Sequence, residues 1–196
     1  GKNMSKETAE LFMEDLTEGS LDERQTSAIL TALSSKGPAA EEIAGCAAVL
    51  CRKKTPISVS GELVDVVGTG GDGIGSYNIS SMSALVAAAC GAKIAKHGNR
   101  AVSSKSGSAD FYEAFGFCID VPPAKTAEVI EKTGFGFLYA PVYHSAMRFA
   151  APVRRLLGVK TIMNLVGPLS NPASAQYQMI GVYDKSLMHP VAHASK

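Results

Sequence analysis

Past Pro56 the hydrophobic period of this 196-residue chain changes, and that switch constrains the fold more than any other feature. Before it, apolar residues recur at helical spacing. After it comes Leu63-Val64-Asp65-Val66-Val67, a largely β-branched run closed by glycines. Such a run is the profile of a strand buried on both faces. Residues 81–90 are alanine-rich and helical, 92–95 read as a second strand, and 110–115 as a helix. The pattern continues with a strand at 117–121, a helix at 124–132, a strand at 135–139, a helix at 146–157 and a strand at 161–165. This alternation predicts an α/β fold: a mostly parallel sheet flanked by helices, with right-handed crossovers.

The first 58 residues predict a small helical domain. Leu11, Phe12 and Leu16 mark one helix. Ser20 and Glu23 fit a capping box that opens a second, carrying Ile29, Leu30 and Leu33 and stopping at Gly37-Pro38. Ile43, Cys46, Ala47 and Leu50 mark a third. Short amphipathic helices cannot hide their apolar faces alone, so this region is expected to pack on the rest of the chain or on a second copy. The expected division is a dimerisation-type helical domain at 1–58 and an α/β domain at 59–196.

Nineteen basic and 18 acidic residues give a formal charge of +1, which argues against a dedicated nucleic-acid binder. A hydrophobic fraction of 46% is enough for a core and too high for a disordered chain. No uncharged stretch is apolar enough to span a membrane, and the first residues lack the apolar centre of a secretory signal. Cys46, Cys51, Cys90 and Cys118 form no CxxC pair and read as reduced core thiols of a cytoplasmic protein.

The chemistry concentrates in three turns. Gly68-Thr69-Gly70-Gly71-Asp72-Gly73 follows the first strand, where ligands of α/β sheets sit. It spells G-x-G-x-x-G, but five residues intervene before the helix and the next strand ends in Lys96-His97 rather than an acid, so it is not a dinucleotide fingerprint. Asn78-Ile79-Ser80-Ser81 opens the alanine-rich helix, whose first amides and dipole favour anions. Lys96-His97-Gly98-Asn99-Arg100 and the serine-rich segment 103–108 come third. The 37 residues from Gly73 to Ala109 contain Lys93, Lys96, Arg100 and Lys105 and no acid, so this stretch carries +4 and the other 159 residues carry −3. Glycine- and hydroxyl-rich turns around a local cationic excess describe a pocket for a phosphorylated small molecule.

Those three turns, together with Ser106-Gly107-Ser108-Ala109-Asp110 and Asn164-Leu165-Val166-Gly167-Pro168-Leu169-Ser170-Asn171-Pro172, resemble the successive motifs of the anthranilate phosphoribosyltransferase family, in order and over essentially the whole chain. The resemblance implies transfer of phosphoribose from phosphoribosyl pyrophosphate (PRPP) to the amine of anthranilate, with Mg2+, in a cytoplasmic homodimer of tryptophan biosynthesis. It implies a donor site of Gly68, Gly71, Asp72, Ser76, Asn78, Ile79, Ser80, Ser81, Lys96, His97, Gly98, Asn99, Arg100, Ala101, Val102, Ser103, Ser104 and Ser108, with Ser80 also a Mg2+ ligand. Gly68, Asn99, His144 and Arg154 would meet anthranilate, Arg154 at its carboxylate.

The residue types suit that chemistry. Preorganised amides, Lys96 and Mg2+ can stabilise a departing pyrophosphate, and the amine needs no protein nucleophile. Lys96 and His97 are the candidates for leaving-group stabilisation or proton transfer, and His144 could also take the proton; a structural role for either histidine is the competing reading. The family carries an adjacent acidic pair for Mg2+ beyond position 196, and none occurs here after Gly73. The expectation is therefore a fold incomplete at its C-terminus, binding metal weakly and turning over slowly. A pyrimidine nucleoside phosphorylase of the same fold and a non-catalytic nucleic-acid-binding relative are the alternatives, with membrane partners expected in neither.

Overall fold

A computed structural model describes residues 1–71, 73, 75, 77–101 and 106–196. In chain order the helices and strands are α1 (Lys6–Glu18), α2 (Glu23–Lys36), α3 (Ala40–Lys53), β1 (Val64–Gly68), α4 (Ile79–Ala89), β2 (Ile94–Gly98) and α5 (Ser108–Ala114). They continue with α6 (Pro123–Thr133), β3 (Phe135–Tyr139), α7 (Ala140–Tyr143), α8 (Ala151–Leu157), α9 (Met163–Val166), β4 (Tyr177–Gly181) and α10 (Met188–Ala194). No helix among the described residues is long and apolar enough to cross a membrane.

The chain forms two compact units. The first joins Gly1–Lys53, Ser145–Ser170 and Asp184–Lys196; the second joins Lys54–His144 and Asn171–Tyr183. The boundary expected near residue 58 and this partition divide the chain differently, because α8, α9 and α10 pack on α2 and α3. In the first unit Ser5 caps α1 by accepting from the Thr8 amide, and Gly19 ends it in the left-handed region at φ 77°. The capping box of α2 is Asp22 with Gln25, two residues beyond the expected Ser20–Glu23 pair: Asp22 accepts from the Gln25 amide at 2.8 Å and the Gln25 side chain accepts from the Asp22 amide at 3.0 Å. Phe12, Met13, Leu16, Leu30, Ile43, Cys46, Val49 and Leu50 form the buried faces.

In the second unit, the described residues form a four-stranded, all-parallel sheet in the order β3-β2-β1-β4. Period-two alternation sends Val66, Ile94, Phe135 and Phe137 to a face shared with Ala84 of α4 and Tyr112 of α5. Leu63, Ala95 and Leu138 face the other way, against Ile130 of α6 and Tyr143. Each fully buried Ile or Leu contributes about 1.5–3 kcal/mol.

Two expected strands are absent. After α5, Gly116 takes φ 84° and the Phe117 amide closes back on Tyr112 O, so 117–121 runs out to Pro123 without a strand partner. At 161–165, Thr161 Oγ1 accepts from the Met163 amide while Asn164 Oδ1 accepts from the Thr161 amide, a reciprocal cap that starts α9 instead. All four cysteines are free thiols, but the core placement holds for Cys46 alone: Cys51 is half-buried, while Cys90 and Cys118 are exposed because they lie just past α4 and in the extended 117–121 segment. Burial pushes the Cys46 thiol up to about 12.

Candidate functional site

The carboxyl ends of β1 and β2 bring the predicted turns together. Past Gly68, Gly70 and Gly71 adopt φ 66° and 73°, in a region that side chains with a Cβ rarely enter, and Gly73 and Gly75 do the same. Asp72, Ser76, Val102, Ser103 and Ser104 lie outside the described residues. Asn78 stands at the N-terminus of α4, but its side chain does not cap the helix. Asn78 Nδ2 donates instead to Ser106 Oγ at 3.0 Å, tying the loop after β1 to the turn before α5. Ile79 is exposed and Ser80 half-buried, whereas Ser81 is buried and its carbonyl accepts from Tyr112 Oη at 3.0 Å.

The turn after β2 is held from below. Asp110 accepts from the Gly107 amide at 2.7 Å and the Ala101 amide at 3.1 Å. Asn99 O accepts from the Ala109 amide at 3.2 Å and Ser108 Oγ at 3.3 Å. The fit is close: a Cβ on Gly98 would collide with Ser108 Oγ, and one on Gly107 with the Ala101 amide. Arg100 is committed to acids, with Nη1 3.0 Å from Asp110 and 2.8 Å from Glu113, and those carboxylates hold its guanidinium well above its ordinary value.

Lys96 is not a solvent-facing cation. It is 2% exposed, and its ammonium donates to His97 O at 2.9 Å. Burial lowers its pKa to about 8 despite the opposing charge of Asp65. Asp65, the second residue of β1, is fully buried. Its Oδ1 accepts from the His97 amide at 3.1 Å, and its Oδ2 from Asn171 Nδ2 at 2.8 Å and Gln178 Nε2 at 3.3 Å. Burial raises the Asp65 pKa, and Lys96 and these donors offset only part of the rise. Asp65, Asn171 and Gln178 were not anticipated as site residues; a lone acid inside Leu63-Val64-Asp65-Val66-Val67 was the available signal.

His97 and His144 are both buried, with ring centroids 5.0 Å apart. Arg154 belongs to the first unit, half-buried on α8, where burial lowers its pKa. Among the described residues no group of three His, Cys, Asp or Glu side chains could hold a metal.

Residues 60–196 match the model of the glycosyl transferase family a/b domain, and residues 1–53 that family's helical bundle domain. The anthranilate phosphoribosyltransferase of Persephonella marina is 48% identical over 98% of this chain and 57% of its own length. The crystal structure of anthranilate phosphoribosyltransferase from Thermus thermophilus superposes with a TM-score of 0.92 at 46% identity, covering 99% of this chain and 59% of that one. The Saccharomyces cerevisiae enzyme in complex with PRPP and Mg gives a TM-score of 0.81 at 34% identity, over 88% and 49%. This chain thus spans a little over half the length of the curated relatives it matches. With both the helical bundle and the a/b models matched in sequence, the chain belongs to the glycosyl transferase family that pairs those two domains.

Proposed function

We propose that this chain carries the donor-binding part of an enzyme that transfers phosphoribose from PRPP to the amine of anthranilate, releasing pyrophosphate in tryptophan biosynthesis. The Asn78–Ser106 bond carries this reading, because it joins the left-handed glycine turn, the first turn of α4 and the turn after β2 into one anion-binding rim. In the reaction the amine nitrogen bonds to the anomeric carbon, the bond from that carbon to pyrophosphate oxygen breaks, and the amine gives up a proton. Amides of 68–71 and the start of α4 meet the pyrophosphate; Asn99, Ala101 and Ser108 shape the ribose side. Lys96 acts from beneath the rim, through its field rather than by contact. His97 and His144 are the candidate proton acceptors. Arg154 meets the anthranilate carboxylate, keeping its charge despite burial as guanidinium groups do.

Ser80 offers one hard oxygen at the start of α4, and no three-residue acidic cage exists among the described residues. Ser80 would help to hold Mg2+ there, and the ion would neutralise charge on the leaving group. The enzyme would be cytoplasmic and dimerise through its helical region.

Titrating PRPP with Mg2+ into the chain tests the donor reading: saturable one-to-one binding supports it, and no binding overturns it. Added anthranilate then loses its fluorescence if transfer occurs. Asn78→Ala should weaken PRPP and spare anthranilate, and Arg154→Ala the reverse; equal effects on both substrates overturn the division of roles.

A further inference from the structure

β1 and β4 pair in register over five residues, as do β2 and β3, yet the registered pairing of β1 with β2 stops at Val64↔Ile94. In a parallel ladder a residue's N–H and C=O point to the same neighbour, and successive residues alternate. The Ile94 amide bonds Gly134 O, so residues 94, 96 and 98 serve β3 while 95 and 97 serve β1. The Ala95 amide completes the Val64↔Ile94 pair, and the β1-facing groups beyond it, Ala95 O and the amide and carbonyl of His97, are met by side chains. Asn171 Nδ2 donates to Ala95 O at 2.9 Å, Asp65 Oδ1 accepts from His97 N at 3.1 Å, and Lys96 Nζ donates to His97 O at 2.9 Å. Asp65 and Asn171 also bond each other at 2.8 Å. Asn171 is fixed in turn, since its Oδ1 accepts from the Ala173 amide at 2.8 Å.

We propose that Asp65 and Asn171 are positioning residues: a buried polar wedge that replaces backbone rungs between the two central strands and so spaces the turns after Gly68 and Gly98 for the PRPP pyrophosphate. The donor clause rests on the reading above; the wedge itself does not. A sheet closed by ordinary rungs would hold its strands about 4.8 Å apart to their ends. A carboxylate and an amide inserted there open the carboxyl end, where both turns begin. Asp65 suits the task because it accepts from β2, from β4 through Gln178 and from the segment before β4, leaving neither oxygen without a donor. Lys96 supplies the compensating charge that a buried carboxylate requires.

Hydrogen-bond scalar couplings in the 13C,15N-labelled wild-type chain test the wedge directly. A coupling from the His97 amide nitrogen to the Asp65 carboxyl carbon is expected; one to the Val66 carbonyl, the partner in an ordinary ladder, overturns the wedge. Asp65→Asn and Asn171→Ala should then weaken PRPP binding on the order of tenfold; the melting temperature should fall by a few degrees, and further for Asn171→Ala, which takes a donor from Asp65 Oδ2 and Ala95 O. Unchanged affinity in the folded variants overturns the positioning role, and if either fails to fold the wild-type coupling still decides the wedge. Wild-type chain that shows the Asp65 coupling but binds no PRPP removes the donor clause along with the proposed function and leaves the wedge in place.

Discussion

Glu42 in the first unit and Asp65 in the second are both fully buried carboxylates, yet their titrations move in opposite directions. Burial pushes both up. Around Glu42 that push is outweighed by the Ala39 amide at 2.7 Å, Lys36 Nζ at 2.9 Å and the Met4 amide at 2.8 Å, so its pKa lies below the ordinary value. Around Asp65 it is not outweighed. Lys36 keeps 16% of its side chain in solvent and touches its partner, whereas Lys96 is itself buried and spends its ammonium on a carbonyl. The first acid stabilises its unit. The second, disfavoured as an anion by burial, stabilises its unit less and fixes where two strands end, which is the pattern expected of a group retained for geometry.

The largest expected effect comes from Glu42→Ala. It strands Lys36 and two amides and should cost about 3 kcal/mol in urea unfolding. Asp65→Asn should cost about 1 kcal/mol, because losing matched acceptors is offset by removing a charge that burial disfavours. A loss larger than that of Glu42→Ala would break the comparison. Acid sharpens it. Glu42 titrates below the ordinary 4.5 in the folded chain, so its stabilisation is complete above 4.5 and is lost as pH falls through the folded value. The wild-type melting temperature should therefore drop in that range more steeply than that of Glu42→Gln. Lys96 gives a second window of the same sign, at alkaline pH. Its folded pKa of about 8 lies under the ordinary 10.5, so stability should rise between those two values, and Lys96→Met should flatten the rise. Smallest is Arg100→Ala, whose partners are solvent-exposed ion pairs, and whose melting temperature should stay close to wild type.

The parallel sheet was legible because Phe135-Gly136-Phe137-Leu138-Tyr139 is a continuous apolar run and Leu63-Val64-Asp65-Val66-Val67 is apolar but for one acid, without the helical spacing of the first 58 residues. β4 was not, since Tyr177-Gln178-Met179-Ile180-Gly181 lies at a sheet edge with Tyr177 and Met179 exposed, and no burial imposes a pattern there. The glycine and hydroxyl turns of the site were legible for a similar reason: left-handed backbone and close approach select Gly almost alone. Arg100 and Lys96 were readable as cations but not as occupied ones. Their partners Glu113, Asp110 and Asp65 are set by tertiary contacts that spacing does not encode.

The strand order also sets a timetable for synthesis. β1 lies inside the sheet, and its registered partner β4 begins at Tyr177, more than a hundred residues later. Asp65 likewise waits for Asn171 and Gln178. A ribosome adds residues at about 5–20 per second, so β1 spends several seconds with one edge open and its acid lacking two of its donors. Loop-closure entropy over that separation makes the β1–β4 ladder a slow step. The nascent sheet is thus most vulnerable to wrong pairing during the interval between those two strands, and a chaperone that binds extended apolar segments would find Leu63–Val67 available throughout it.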